Sequence, residues 1–305
     1  MYGTIDIGSN TIRMVLYSIK NNQLYPMINK KYTAGLAGYI DDNSNMNEEG
    51  ITKLLRILGE LKEILSQIEI EEIFPFATAS LRGRNNVNEI LCKIKEQSGF
   101  DVRILTGEEE AIFDYNSILH SGIKEEGLLV DVGGGSTELT FFQNKQVVSA
   151  QSLPIGSLSL YSRFVEQVLP TEKEMKQIRK EVKKQLKTLE NPQGNIESPT
   201  IYSVGGTARA ALKLIRRTEN NQIKTMEYSK KELRHVLSNL LDNPSYMVKN
   251  ILAVAPERIH TLIPGIVIFD TIAKYYGSTQ FVTSKCGVRE GYMLSMLKER
   301  GILVG

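Results

Sequence analysis

Histidine and cysteine are scarce in this 305-residue chain, with three His (His120, His235, His260) and two Cys (Cys92, Cys286). Two cysteines are too few for a disulfide framework or a Cys-rich zinc site. No HExxH pattern occurs either, so a metal here would be a hard cation on oxygen ligands. An excess of one charge is also missing. Lys plus Arg number 37 against 35 Asp plus Glu, a formal net charge of +2. That balance argues against a dedicated nucleic-acid partner while permitting a local basic groove. No run approaches the roughly 18 apolar residues of a membrane span. The apolar N-terminal stretch carries Asp6 and Arg13 with no basic leader, so it does not read as a signal peptide. The expectation is a reduced, cytoplasmic, soluble protein.

What is present reads as an ordinary folded chain. Hydrophobic residues make up 41% and charged residues 24%, and roughly 100–200 residues per domain implies about two domains. β-Branched and apolar residues flank Gly8-Ser9-Asn10, predicting strands over 2–8 and 11–19, with a third over 23–33. Apolar residues at helical spacing from Asn47 to Ile68 predict an amphipathic helix. A strand in IFPFATAS, a helix over 87–97, a short strand at DVRIL and a helix over about 107–120 follow. Thr106 is a candidate N-cap for that last helix. Glu108, Glu109 and Glu110 then fall in its first turn, where the macrodipole favours anions. LLVDVGGGSTELTFF reads as strand, glycine turn, strand. The remainder reads as helical over about 157–168, 171–189, 206–217, 230–241, 256–276 and 288–297. Strands at 200–204 and 280–283 and a loop at 191–195 interrupt it.

The strongest structural signal is a repeat. Asp6 aligns with Asp131 without a gap, DIGSNTIRMVLY over DVGGGSTELTFF. Each copy is apolar strand, Asp, apolar residue, Gly, small-residue turn, apolar strand. Two such hairpins, one opening each half, predict a pseudo-twofold pair facing across a cleft. Glycine turns let backbone N–H groups approach an anion. Candidate phosphate cradles are therefore Gly8-Ser9-Asn10-Thr11 and Gly133-Gly134-Gly135-Ser136-Thr137. Gly205-Gly206-Thr207 is a third, at a helix N-terminus that adds its own positive end. One such turn alone reads more simply as a tight hairpin or helix entry; three of them, two duplicated, weaken that reading.

Carboxylates stand beside the turns: Asp6, Asp131, Glu138 and the Glu108–Glu110 run. Phosphoryl transfer needs a divalent cation against the phosphate charge and a group that orients or deprotonates the attacking oxygen. Asp131 ends a strand and Glu138 starts the next, so both can reach the mouth of the turn. Asp6 equally suits a turn-stabilising role, and the Glu triplet a helix cap. Arg82, Arg84 and Asn86 follow a strand at a strand-to-helix junction, a favoured ligand position where guanidinium suits bidentate phosphate contact; a surface arginine near a cap reads equally well. Lys173, Lys176, Lys180, Lys183 and Lys187 share one helix face, which reads as a solvated face rather than a polyanion track.

These motifs resemble the Ppx/GppA phosphatase family, the exopolyphosphatases and guanosine pentaphosphate phosphohydrolases of the actin, hexokinase and heat-shock-chaperone ATPase superfamily. IDIGSNTIRMVLY, ATASLRGRNN, ILTGEEEAIFDYNSI, GLLVDVGGGSTEL, SLPIGSLSLYSRF, SVGGTARAAL, ERIHTLIPG and SKCGVREGYML match in family order. The resemblance implies an α/β fold of two ribonuclease-H-like domains around a central cleft, 1–122 and 123–292. The last helix, about 293–305, would pack back on the first. It implies Glu110 as the catalytic glutamate that orients or activates water, and Glu138 as a second essential carboxylate. Asp131, with Asp6 and Glu138, would attend the metal. Arg82 would contact phosphate, as would the turns at 8–11, 133–137 and 205–207. Mg²⁺ is the implied cofactor, with K⁺ left open. There are departures: Ile259-His260 stands where the family often has Ala-Asp, and Ser157–Ser159 where an Arg is common. With the sequence ending at 305, a short form without the C-terminal domains of long members is the expectation.

The expected activity is Mg²⁺-dependent hydrolysis of a terminal phosphoanhydride bond, in short polyphosphates or at the 5′-terminal phosphate of guanosine pentaphosphate. No nucleic-acid or membrane partner is expected, and a homodimer is left open. Two other readings stand beside it: a non-catalytic module binding guanosine tetraphosphate or polyphosphate, and a superfamily kinase using ATP.

Overall fold

The computed structural model describes residues 1–21, 23–119, 123–190, 200–219 and 225–303. His120 and the loop expected at 191–195 lie outside them. Five strands form the first sheet: β1 (Tyr2–Ile7), β2 (Thr11–Lys20), β3 (Gln23–Thr33), β4 (Glu72–Ala77) and β5 (Arg103–Ile104), in the order β3-β2-β1-β4-β5. The second has six: β6 (Gly127–Val132), β7 (Thr137–Gln143), β8 (Gln146–Leu153), β9 (Ile201–Val204), β10 (Glu227–Ser229) and β11 (Gln280–Thr283), ordered β8-β7-β6-β9-β11-β10. Its first five positions copy the first sheet, with an antiparallel meander followed by parallel strands.

The repeat in the sequence is therefore one hairpin built twice. Asp6 faces Arg13 across β1–β2, and Asp131 faces Glu138 across β6–β7. Gly8 N donates to Thr11 O at 3.0 Å, and Gly133 N donates to Ser136 O at the same distance. Equal turn lengths between apolar strands fix equal registers, because a one-residue slip would turn every buried side chain outward.

Ten helices among the described residues cover the sheets. In the first half they are α1 (Glu48–Leu65), α2 (Val87–Ser98) and α3 (Gly107–Ile118). α4 (Ser157–Phe164), α5 (Glu172–Leu186), α6 (Gly205–Thr218), α7 (Lys230–Asp242), α8 (Pro244–Val254) and α9 (Leu262–Tyr275) follow. α10 (Val288–Glu299) comes last. α1 buries Ile51, Leu54, Ile57, Leu58 and Leu61 against the first sheet, each contributing about 2 kcal/mol. Asn47 caps it by accepting from Gly50 N at 2.9 Å. α9 is buried from Leu262 to Ala273 and forms the spine of the second half. α10 returns to the first half and packs on α3 and β1. Tyr292 lies 4.7 Å from Phe76 and 5.3 Å from Phe113 between ring centroids. None of the described helices is long and apolar enough to cross a membrane.

Four elements depart from the sequence reading, among them the short strand β10, which has no counterpart in it. β8 is an edge strand with much of its length exposed, so its sequence QVVSAQSL shows no clean alternation. α8 lies where the sequence reading has no element, and it begins at Asn243-Pro244. Here proline occupies the first helical turn, where its missing N–H costs nothing, and Asn243 caps it. The single helix expected over 256–276 resolves into a 3-10 turn at Pro256–Arg258 and then α9.

Candidate active site

A cavity of about 350 Å³ separates the two sheets, and the three glycine turns form its walls. Gly8, Ser9, Asn10 and Thr11 line it from the first half. Gly133, Gly134, Gly135 and Ser136 face them from the second, with Gly205, Gly206 and Thr207 beside them. The two hairpin turns touch, since a Cβ on Gly134 would sit 3.2 Å from Ser9 Cβ. Apart from the Gly8 and Gly133 amides, which close their own turns, the backbone N–H groups of Ser9, Asn10, Gly134 and Gly135 have no acceptor among the described residues. The first N–H groups of α6 are free for the same reason that any helix start is. Thr137 takes no part in this wall. It is fully buried, and its hydroxyl donates to Ile155 O at 2.7 Å, holding the strand that leads into α4.

The Glu triplet divides its labour by geometry. Thr106 Oγ1 accepts from Glu109 N at 3.1 Å, and Glu109 Oε2 accepts from Thr106 N at 2.8 Å, a complete capping box. Glu109 is thus the cap and Glu108 is exposed. Glu110 lies one residue, about 100° round the helix, from the cap and points into the cleft, buried to 7% exposure. There Arg82 Nη1 donates to Glu110 Oε2 at 3.0 Å, and Arg82 Nη2 lies 3.6 Å from Glu138 Oε1. One guanidinium so joins a carboxylate from α3 to one from β7. Ser152 Oγ donates to Glu138 Oε1 at 2.8 Å, whereas the buried Glu138 Oε2 has no partner among the described residues. Arg84 turns away to Ala79 O, and Asn86 is used to hold the backbone of Met46.

Four carboxylates crowd the floor. Burial pushes Glu138 up to about 7, helped by Asp131. Burial, with the Glu138 charge next, holds Glu110 well above the usual carboxylate range, with Arg82 offsetting part of it. Asp131 is raised by burial as well. Asp114, one helical turn beyond Glu110, is fully buried and raised by burial and then by Asp131. Asp6 is raised by burial too, but Arg289, whose Nη1 donates to its Oδ2 at 3.0 Å, offsets part of that. One oxygen of the acid expected beside a metal is thus already matched by a guanidinium.

The opposite wall is cationic, and most of it was not singled out in the sequence. Arg13, Lys31, Arg209, Lys213, Arg258 and Arg289 line the cleft. Arg13, Arg209 and Arg289 each lie within five residues after a cleft-lining glycine (Gly8, Gly206, Gly287). That spacing was the available signal. Arg258 Nη1 donates to Thr207 Oγ1 at 3.3 Å, and Lys31 Nζ meets Glu257 Oε1 at 2.6 Å across the cleft. Burial lowers Arg209 and Arg258, and the neighbouring Arg289 lowers both further. The wall repels itself and is built for an anion.

The arrangement has relatives. A model of the Ppx/GppA phosphatase family matches residues 15–300. A Haemophilus influenzae protein provisionally named an exopolyphosphatase is 23% identical over 96% of this chain and 90% of its own length. A guanosine-5'-triphosphate,3'-diphosphate pyrophosphatase of Aliivibrio fischeri is 24% identical over 98% of this chain, which spans only 60% of that protein. Among solved structures, the Aquifex aeolicus Ppx/GppA family member is 26% identical, covers 98% of both chains and superposes with a TM-score of 0.78. An exopolyphosphatase from Cytophaga hutchinsonii shares the fold at a TM-score of 0.84 and 22% identity, again over 98% of both chains.

Proposed function

We propose that this chain, which belongs to the Ppx/GppA phosphatase family, hydrolyses the terminal phosphoanhydride bond of inorganic polyphosphate and releases orthophosphate. One observation carries the choice of substrate. The described cleft wall offers six cationic side chains and no aromatic ring, which suits a chain of phosphates better than a nucleobase that must stack. The named activities of the relatives support the reaction class.

In this reading the terminal phosphate sits among the free turn amides and the α6 N-terminus, its equatorial oxygens facing fixed N–H dipoles. Glu110 accepts the proton of a water placed in line with the terminal phosphorus. The new P–O bond forms as the bond to the bridging oxygen breaks, and the chain leaves one phosphate shorter. Arg82 holds Glu110 against Glu138 and so fixes the direction of its free oxygen. The cationic wall carries the remaining phosphates.

The carboxylate crowding fits Mg²⁺. No three His, Cys, Asp or Glu side chains among the described residues converge as a ligand cage. Mg²⁺ commonly takes one or two carboxylates and completes its shell with water and substrate phosphate. Asp131 and the unpartnered oxygen of Glu138 are the candidates to hold it, and the ion would supply charge neutralisation at the transferring phosphoryl group. A thermal-melting series tests this without activity. Glu138, with its carboxyl raised to about 7, contributes stability that is full below about 4.5. That contribution is lost as pH climbs through 7, because the folded state holds a proton the unfolded chain has released. The cation-free protein should therefore melt lower at pH 8 than at pH 5, Mg²⁺ should raise the melting temperature mainly at pH 8, and Glu138→Gln should flatten both trends. A Mg²⁺ effect equal at both pH values would remove Glu138 from the metal.

The substrate is tested by phosphate release in Mg²⁺ from tripolyphosphate, longer polyphosphate, guanosine pentaphosphate and ATP. Polyphosphate is expected to give the highest kcat/KM, by about tenfold or more. Preference for guanosine pentaphosphate would overturn the substrate choice, and release only into an acceptor would indicate a kinase.

A further inference from the structure

We propose that a pocket on the outer face of the second half, between α5, α7 and α9, is a second binding site for phosphate oxyanions. The pocket measures about 440 Å³, and Arg179, Lys183, Arg234, Asp270 and Lys274 stand in its wall. Arg179 and Lys183 are four residues apart on α5, and Asp270 and Lys274 four apart on α9, so each pair shares a helix face. Arg234 comes from α7.

Asp270 organises the pocket. It is 5% exposed, on the buried and mostly apolar stretch of α9 from Leu262 to Ala273. Arg234 Nε donates to its Oδ1 at 2.7 Å, and Arg179 Nε lies 3.8 Å from its Oδ2. Both guanidiniums are thus tied to the carboxylate through Nε. Their four Nη nitrogens have no acceptor among the described residues, and such forks match the two oxygens of a phosphate edge. Two guanidiniums exceed what one carboxylate needs. Lys183 and Lys274 add charge with no acidic partner among the described residues. The other acid of the wall, Glu172, is taken by Lys176 at 2.8 Å. Lys230 stands close behind, lowered by burial and by the charges of Arg234 and Lys274. A buried carboxylate that orients two arginines inside a ring of unpaired lysines is more than a solvated helix face. Of the lysines on one face of α5, Lys183 is the one in this wall.

The site is separate from the catalytic cleft. α9 starts beside the cleft, where Gly265 packs on Thr207, and Asp270 lies eight residues, about 12 Å, further along the helix from Leu262. A phosphate polymer could occupy both places, and so could a free phosphate or short polyphosphate acting as modulator; the oxyanion chemistry is common to both. The first source rests on the polyphosphate reading of the cleft.

Calorimetric titration of the Glu110→Gln protein with tripolyphosphate tests the site, with Lys183→Glu/Lys274→Glu as the variant because it leaves the Asp270 pairs intact. Two binding events are expected, falling to one in the variant. If the cleft reading is wrong, one event remains and the variant abolishes it. Isotherms that are identical with and without the lysine changes would overturn the second site. In the active protein, a KM for long polyphosphate that rises about tenfold in the variant, with kcat held, identifies the distal segment of the substrate as occupant. A change in kcat only when free phosphate is added identifies a modulator.

Discussion

Glu110→Gln is expected to slow phosphate release at least about a hundredfold while leaving the protein folded. A hundredfold corresponds to about 2.7 kcal/mol of transition-state stabilisation, within the range of a lost general base. The geometry separates catalysis from stability at this position. Burial and the nearby Glu138 charge both disfavour an ionised Glu110, so a neutral amide relieves crowding, and Gln can still accept from Arg82 at the place of Oε2. The melting temperature should therefore stay level or rise. Glu109→Gln is the internal comparison. Glutamine at that position keeps the capping box, so release should be unchanged even though the substituted residue is adjacent. Full activity in the Glu110→Gln protein would remove Glu110 from the reaction. A loss accompanied by a falling melting temperature would make its role structural.

The second large effect is expected at Gly205→Ala. Gly205 sits at φ +82°, and a Cβ there would overlap the Asp131 carboxylate. The positive φ alone costs an alanine about 1 kcal/mol. The overlap must be relieved by moving Asp131, the acid proposed to hold the metal, or by shifting the start of α6, which carries the free N–H groups. Either movement disorders the phosphate site, so kcat should fall at least about tenfold, with a smaller loss of Mg²⁺-induced thermal stabilisation than of turnover. Gly38→Ala gives the contrast, since a Cβ there meets nothing within 4 Å. Turnover kept in Gly205→Ala would show that Asp131 is not positioned through this contact.

The site was legible in the sequence to different depths. The hairpin repeat could be read because turn length and strand alternation are local, and the same register and the same closing hydrogen bond occur in both copies. By spacing alone Glu110 was legible only as one of three acids; the family resemblance singled it out, and the capping geometry, which fixes the rotation of α3, gives the physical separation from Glu109. Thr137 shows the reverse. It belongs to the glycine-turn motif, yet strand alternation turns it away from the cleft to bond Ile155. The cationic wall was hidden for another reason. Arg13, Arg209, Arg258 and Arg289 are far apart in the chain, and the one local signal, a glycine shortly before Arg13, Arg209 and Arg289, does not by itself separate an arginine that faces a cleft from one that faces water.

The order of apolar runs, glycine turns and capping residues, together with the ordered motifs, determined the fold class, the duplicated hairpins and the family. These depend on interactions within a few residues of one another. Tertiary structure alone decided that Arg82 joins Glu110 to Glu138, that Arg289 pairs with Asp6, and that Asp270 on α9 meets arginines from α5 and α7. Burial raises the cost of an unpaired charge, and which charges are buried together is a property of packing that no single segment carries.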